Sequence, residues 1–325
     1  MAQILSNTEA RGASAAPKHA ASQPWGAPAP LRLWHLASLD APTVAVVWTL
    51  AFAWVANVRL PLWAPLLLGL VTWVFYVGDR LLDARAGNTS GKTARLRERH
   101  RFHWRHRRRL TILAVTAACA AASLALINVP PGALLRDRIA VILSGRSESK
   151  NLRLADLTVA AAALVYFAGV HTGRGRVGWP PIAAARRWLN KEMLVGILFT
   201  TGCALPAWNR TAEPWPMLAP LVFFAVLAWL NCHAIEQWEN SCEAPGPPAH
   251  ETAILPIAAL LGVTGFLLAA WLSAGQPRMA ALIACGAASA LLLGLLDRLR
   301  PHLTPLTLRA LADLVLLAPL ALLWR

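Results

Sequence analysis

LWAPLLLGLVTWVFYVGDRLLD, residues 62–83, is the stretch on which the reading of this chain turns. From Leu62 to Gly78 it carries no charged side chain, and then Asp79, Arg80 and Asp83 arrive together. A helix needs about 20 mostly apolar residues to cross the hydrocarbon of a bilayer. The stretch therefore reads as a membrane span that ends in two carboxylates.

Further runs of this kind follow along the chain. Apolar segments at 36–56, 62–83, 110–129, 153–172, 190–208, 215–236, 253–274, 277–296 and 305–324 give about nine expected spans. Several begin after a proline such as Pro61, Pro214 or Pro216, where the missing N–H costs a helix nothing. Composition agrees: 57% of residues are hydrophobic, only 14% are charged, and there are 15 tryptophans, the residue of bilayer interfaces. The expected fold is all-α, a polytopic bundle over 34–325, preceded by a disordered cytoplasmic tail, 1–33.

A net charge of +15 raises the question of nucleic acid. The basic residues stand in short segments between apolar runs, which is the distribution of cytoplasmic loops rather than of a nucleic-acid surface. Ten lie between Arg85 and Arg109, with Arg174, Arg176, Arg186, Arg187, Arg298 and Arg300 in later loops. This places the N-terminus in the cytoplasm and, with nine spans, the C-terminus on the opposite side of an inner membrane. The loop 130–152, with Arg136, Arg138, Arg146 and Lys150, runs against the pattern. Five cysteines with no C-x-x-C pair give neither a disulfide framework nor a zinc site.

Acids at span ends are the informative residues of so apolar a chain. Asp79 and Asp83, four apart, share a helix face with Tyr76 nearby. Two such carboxylates need a cation between them, for which Mg²⁺ is the natural choice, or they pair with Arg80, Arg85 and the basic loop. The sixth span ends in NCHAIEQWE, residues 231–239, where Glu236 and Glu239 share a face. This cluster is either an ion pair to the basic loop or the second half of a metal site. With the N-terminus inside, spans two and six both end on the cytoplasmic face, so the two clusters converge. His100, His103 and His106 sit among arginines on an interfacial helix, suited to solvent or to an anionic lipid. Asp40 reads as a helix-start cap and Asp313 as an acid facing protein. Tyr166 and His171 in span four face either a cavity or a packed interior.

Nine spans with acidic motifs ending the second and sixth resemble the UbiA superfamily of intramembrane prenyltransferases. Asp79-Arg80-Leu81-Leu82-Asp83 looks like the latter half of that family's first Asp-rich motif. Glu236 and Glu239 fall where its second motif carries aspartates, and Phe75 and Tyr76 stand where its leading Asn-Asp would be. The resemblance implies Mg²⁺-dependent transfer of an isoprenyl group from an isoprenyl diphosphate to an aromatic or lipid acceptor. It implies Asp79, Asp83, Glu236 and Glu239 as catalytic metal ligands, and Tyr76, Arg80, Arg85, Lys191, Asn231 and His233 as substrate contacts. A non-catalytic relative that binds a lipid or a partner is the alternative. A transporter is a third reading, although no internal repeat supports it.

Overall fold

In the computed structural model, residues 25–89, 98–128, 191–243 and 253–324 are described, and they are all-α. Eleven helices occur among them: α1 (Ala29–Leu36), α2 (Asp40–Val55), α3 (Trp63–Thr89), α4 (Glu98–Arg105), α5 (Arg107–Asn128), α6 (Lys191–Trp208), α7 (Leu218–Glu243), α8 (Ile254–Leu272), α9 (Pro277–Leu299), α10 (Pro305–Val315) and α11 (Leu320–Leu323).

Five helices are long and apolar enough to cross a membrane: Trp63–Arg85, Arg107–Asn128, Trp215–Ser241, Ile254–Leu272 and Pro277–His302. The pair α1 and α2, bent by 88°, makes a sixth if it is one span. These helices mark a multi-pass membrane protein. Little of the span in α5 is buried, and Ile112, Leu113, Val115, Leu126 and Ile127 lie open. So much exposed apolar surface calls for lipid or protein cover.

The expected nine spans are not reached among the described residues, for identifiable reasons. Span 153–172, with Tyr166 and His171, and the loop 130–152 lie outside the described residues. Of segment 190–208 the described part forms α6, whose apolar part, Glu192–Trp208, is shorter than the long apolar helices above. Segment 305–324 breaks in two: α10 stops at Val315 and α11 starts at Leu320 after Pro319. A proline offers no N–H to the preceding turn, so carbonyls before it need other donors. Trp48 Nε1 donates to Leu316 O at 2.9 Å, and Ser289 Oγ donates to Val315 O at 2.7 Å. The broken span is thus tied to α2 and α9.

The expected tail also gives way to structure at its end. Trp25 pairs with the turn before α10, its N–H donating to His302 O at 2.8 Å and its carbonyl accepting from Thr304 N at 3.2 Å. Helix α1 then starts at Ala29, inside the segment 1–33.

The core lies where α2, α6, α7, α9 and α10 meet. Trp48 stacks on Phe224 with centroids 3.6 Å apart, flanked by Phe52 and Phe199, and Trp48, Phe52 and Phe224 are fully buried. Small residues let the helices close: a Cβ on Gly196 of α6 would stand 2.9 Å from the backbone nitrogen of Trp229 in α7. That contact is helix backbone, which cannot rotate aside as a side chain can.

Candidate metal centre at the helix break

Helix α1 ends at a residue with little freedom to end it. Ser38 takes φ +61°, a region costly for a residue with a Cβ. Ser38 N–H donates to His35 O and Leu39 N–H to Trp34 O, both at 3.1 Å. This is a Schellman closure with serine where glycine is usual. The end of α2 repeats it with Asn57 at φ +54°, an easier residue for that region.

The serine hydroxyl accounts for the choice. Arg80 of α3, itself buried, donates through Nη1 to Ser38 Oγ at 3.1 Å and to His35 O at 2.8 Å. Its Nη2 reaches Asp40 Oδ2 at 3.1 Å, and its guanidinium lies 4.7 Å from the Tyr76 ring centroid. Ser38 meets His103 Nε2 at 3.0 Å, while His103 Nδ1 lies 2.8 Å from Arg99 O. A carbonyl only accepts, so Nδ1 carries the proton and Nε2 accepts from Ser38. The chain of donors runs from Arg80 through Ser38 and His103 to Arg99 O. Burial, reinforced by the Arg80 charge, pushes the His103 imidazole down from 6.5 to about 4, so it is neutral at ordinary pH.

Three groups meet behind this chain. One ligand atom each from His35, Asp40 and Asp313 lie within 4.8 Å of one another, all three residues buried. His35 lies in the last turn of α1, Asp40 opens α2 and Asp313 sits on α10. Asp40 Oδ1 accepts from Ala41 N at 3.0 Å, and Asn231 Nδ2 of α7 donates to Asp313 Oδ1 at 3.1 Å. A buried imidazole with two carboxylates can hold a metal ion.

The acids named from sequence lie at the same end of the bundle but are arranged differently. Arg99 of α4 gives Nη1 to Glu239 Oε1 at 3.0 Å, and Arg309 of α10 gives Nη1 to the same oxygen at 2.7 Å. Trp238 Nε1 donates to Asp297 Oδ1, at the end of α9, at 2.7 Å. Arg99 ties α4 to Glu239 of α7, and Ser38 links Arg80 of α3 to His103 of α4, so the ends of α3 and α7 are connected only through α4 and the α1–α2 break and not through their acids. Asp79 is half-buried, whereas Asp83, Arg85 and Glu236 are exposed. Among the described residues Asp79, Asp83, Glu236 and Glu239 form no group of three ligand atoms within metal reach. Of the expected substrate contacts, Tyr76, Arg80 and Asn231 belong to the buried cluster instead. His233 stacks on Trp229 at 5.4 Å, and Lys191 opens α6 with its side chain outside the described set.

Sequence reading passed over His35 altogether. The signal it missed is a histidine and an aspartate five residues apart, on either side of a serine, at the head of an apolar run. Comparison with protein families, with curated proteins and with solved structures finds no match to this chain.

Proposed function

We propose that the chain is a UbiA-like membrane protein of an inner membrane, N-terminus in the cytoplasm, that transfers an isoprenyl group from an isoprenyl diphosphate to an aromatic or lipid acceptor. The observation that supports this is a run of hydrogen bonds that links the ends of α3 and α7 through α4: Arg80 to Ser38, Ser38 to His103, and Arg99 to Glu239. In the reaction the allylic C–O bond breaks, diphosphate leaves, and the carbocation is captured by the acceptor, which then gives up a proton. Arginines at this end of the bundle, among them the exposed Arg85 and the half-buried Arg300, would stabilise the departing anion. The apolar helices would shelter the prenyl chain. Mg²⁺, when bound, would neutralise diphosphate charge. Glu239 is given to two arginines here and the four acids do not converge, so that ligand set does not fit and no step runs through the ion.

The same engagement of Glu239 favours a second reading, a non-catalytic relative that holds a lipid diphosphate. One assay separates the two. Membranes containing the protein are given a labelled isoprenyl diphosphate, with Mg²⁺ or with chelator, and label in a new prenylated lipid is followed. Transfer that disappears in the Arg85→Ala/Arg300→Ala double variant is the expected result. Saturable binding without product establishes the second reading, and undiminished transfer in the double variant rejects the site.

A further inference from the structure

We infer that His35, Asp40 and Asp313 hold a resident Zn²⁺ ion, with the amide oxygen of Asn231 as a fourth donor. This site is independent of the prenyl-transfer reading and shares none of its acids.

The argument begins with atoms left over. His35 Nδ1, Asp313 Oδ2 and Asn231 Oδ1 are all shielded from solvent and without hydrogen-bond partners. His35 Nδ1 sits 2.7 Å from Asp40 Oδ2, facing an oxygen that is already bonded to Arg80. Orphaned buried polar atoms are rare and costly, and three from three helices at one place need a common cause. A proton on Asp313 would satisfy one of them. A metal ion takes a lone pair from each.

Charge points the same way. Asp40 is balanced by Arg80, whose Nη1 and Nη2 are spent on His35 O, Ser38 Oγ and Asp40 Oδ2. Arg80 therefore orients Asp40 and leaves the gap open. Arg309, one turn before Asp313 on α10, gives its Nη1 to Glu239 and keeps a buried Nε without a hydrogen-bond partner, so its charge is near Asp313 without bonding it. The Asp313 carboxylate thus stands buried beside an imidazole nitrogen with no hydrogen-bonded cation of its own.

The donor set selects the ion. One imidazole nitrogen with carboxylate oxygens suits zinc and its neighbours rather than Mg²⁺ or Ca²⁺, which take oxygen ligands alone. Bonds of about 2.0–2.1 Å at tetrahedral angles put ligand atoms roughly 3.3 Å apart, within the 4.8 Å spread observed. Four protein donors, all from buried residues, make a closed site of the structural kind. Its role is to pin the α1–α2 break to α7 and α10, where the backbone is held in the unfavourable Ser38 conformation.

The test is elemental analysis of the full-length protein, purified in detergent without chelator, together with thermal unfolding. About one zinc per chain should remain after exchange into metal-free buffer. Stripping should lower the unfolding temperature, and Zn²⁺ but not Mg²⁺ should restore it. Asp313→Asn and His35→Gln should lose the metal, while Asp79→Asn should keep it. Because metal content is read without activity, a failed prenyl-transfer assay leaves this result standing. Metal-free wild-type protein whose unfolding ignores added Zn²⁺ overturns the proposal. So does wild-type zinc content in both His35→Gln and Asp313→Asn, since the ion would then sit elsewhere.

Discussion

Replacing Arg80 with Met keeps the length of the side chain and removes its charge, and the structure says what is lost. Three hydrogen bonds go, to His35 O, Ser38 Oγ and Asp40 Oδ2, along with the contact to the Tyr76 ring. Asp40 has no exposed surface, so its carboxylate would remain buried without its arginine. Removing one partner of a buried ion pair costs about 3–5 kcal/mol. At roughly 2 °C per kcal/mol for a chain of this size, the apparent unfolding temperature should fall by about 6–10 °C. Unfolding from detergent is read at one fixed scan rate, because irreversible transitions depend on it. The cycle is completed with Asp40→Asn and the double variant Arg80→Met/Asp40→Asn. Measured on protein stripped of metal, so that Asp40 has no ionic partner but Arg80 and His35, removing both charges should recover a large part of the loss, since the neutral pair strands no ion. If Arg80→Met alone unfolds like the wild type, or if the double variant shows the plain sum of the two losses, the buried pair does not exist as described.

Gly196→Val should destabilise the bundle by about 1–3 kcal/mol, because its Cβ would meet α7 backbone at 2.9 Å; fluorescence-detected gel filtration after heating reads this out. Trp48→Ala should cost about 3–5 kcal/mol, through the lost stack on Phe224 and an unpaired Leu316 carbonyl, seen as a lower unfolding temperature. His103 predicts a pH dependence. Its folded pKa lies below the ordinary value, at about 4, so the neutral form contributes stability that is complete above pH 6.5. That contribution is lost as pH falls from 6.5 towards 4, when Nε2 gains a proton and can no longer accept from Ser38. The charged and titratable groups around it are Arg80, Asp40, His35 and His106, and His103→Gln should flatten the acid limb of an unfolding-temperature profile.

Much of the bundle is legible in the sequence because a membrane span is a local property. Residues 62–83 declare a helix by composition alone, and the structure places α3 there. What composition hides is where a span bends. Nothing between Leu36 and Leu39 is a glycine or a proline, so 36–56 reads as one helix. The break depends on Ser38 being held by Arg80 and His103, 42 and 65 residues away. The break in 305–324 is more visible in retrospect, since Pro319 marks it, yet the donors that make it tolerable come from Trp48 and Ser289. The site follows the same rule. The paired acids of α3 and α7 catch the eye through helical spacing. The buried centre instead joins residues 35, 40, 231 and 313, which no local pattern connects. Asp40 and Asp313 read as isolated acids from sequence and become neighbours only when α2 and α10 pack together.

The account rests on the ends of α3, α4, α7 and α10 meeting at one end of the bundle. Cysteine cross-linking in native membranes measures that directly. With Cys119, Cys203, Cys232, Cys242 and Cys285 replaced by alanine, the pair Arg99→Cys/Glu239→Cys should be joined by a short bis-maleimide. Their parent side chains touch at 3.0 Å. The pair Asn57→Cys/Arg278→Cys, whose parents touch at 2.7 Å between the end of α2 and the start of α9, should cross-link as well. The mixed pair Arg99→Cys/Arg278→Cys should not. Cross-linking of the mixed pair, or none between residues 99 and 239 while residues 57 and 278 react, would contradict the arrangement on which both proposed sites depend.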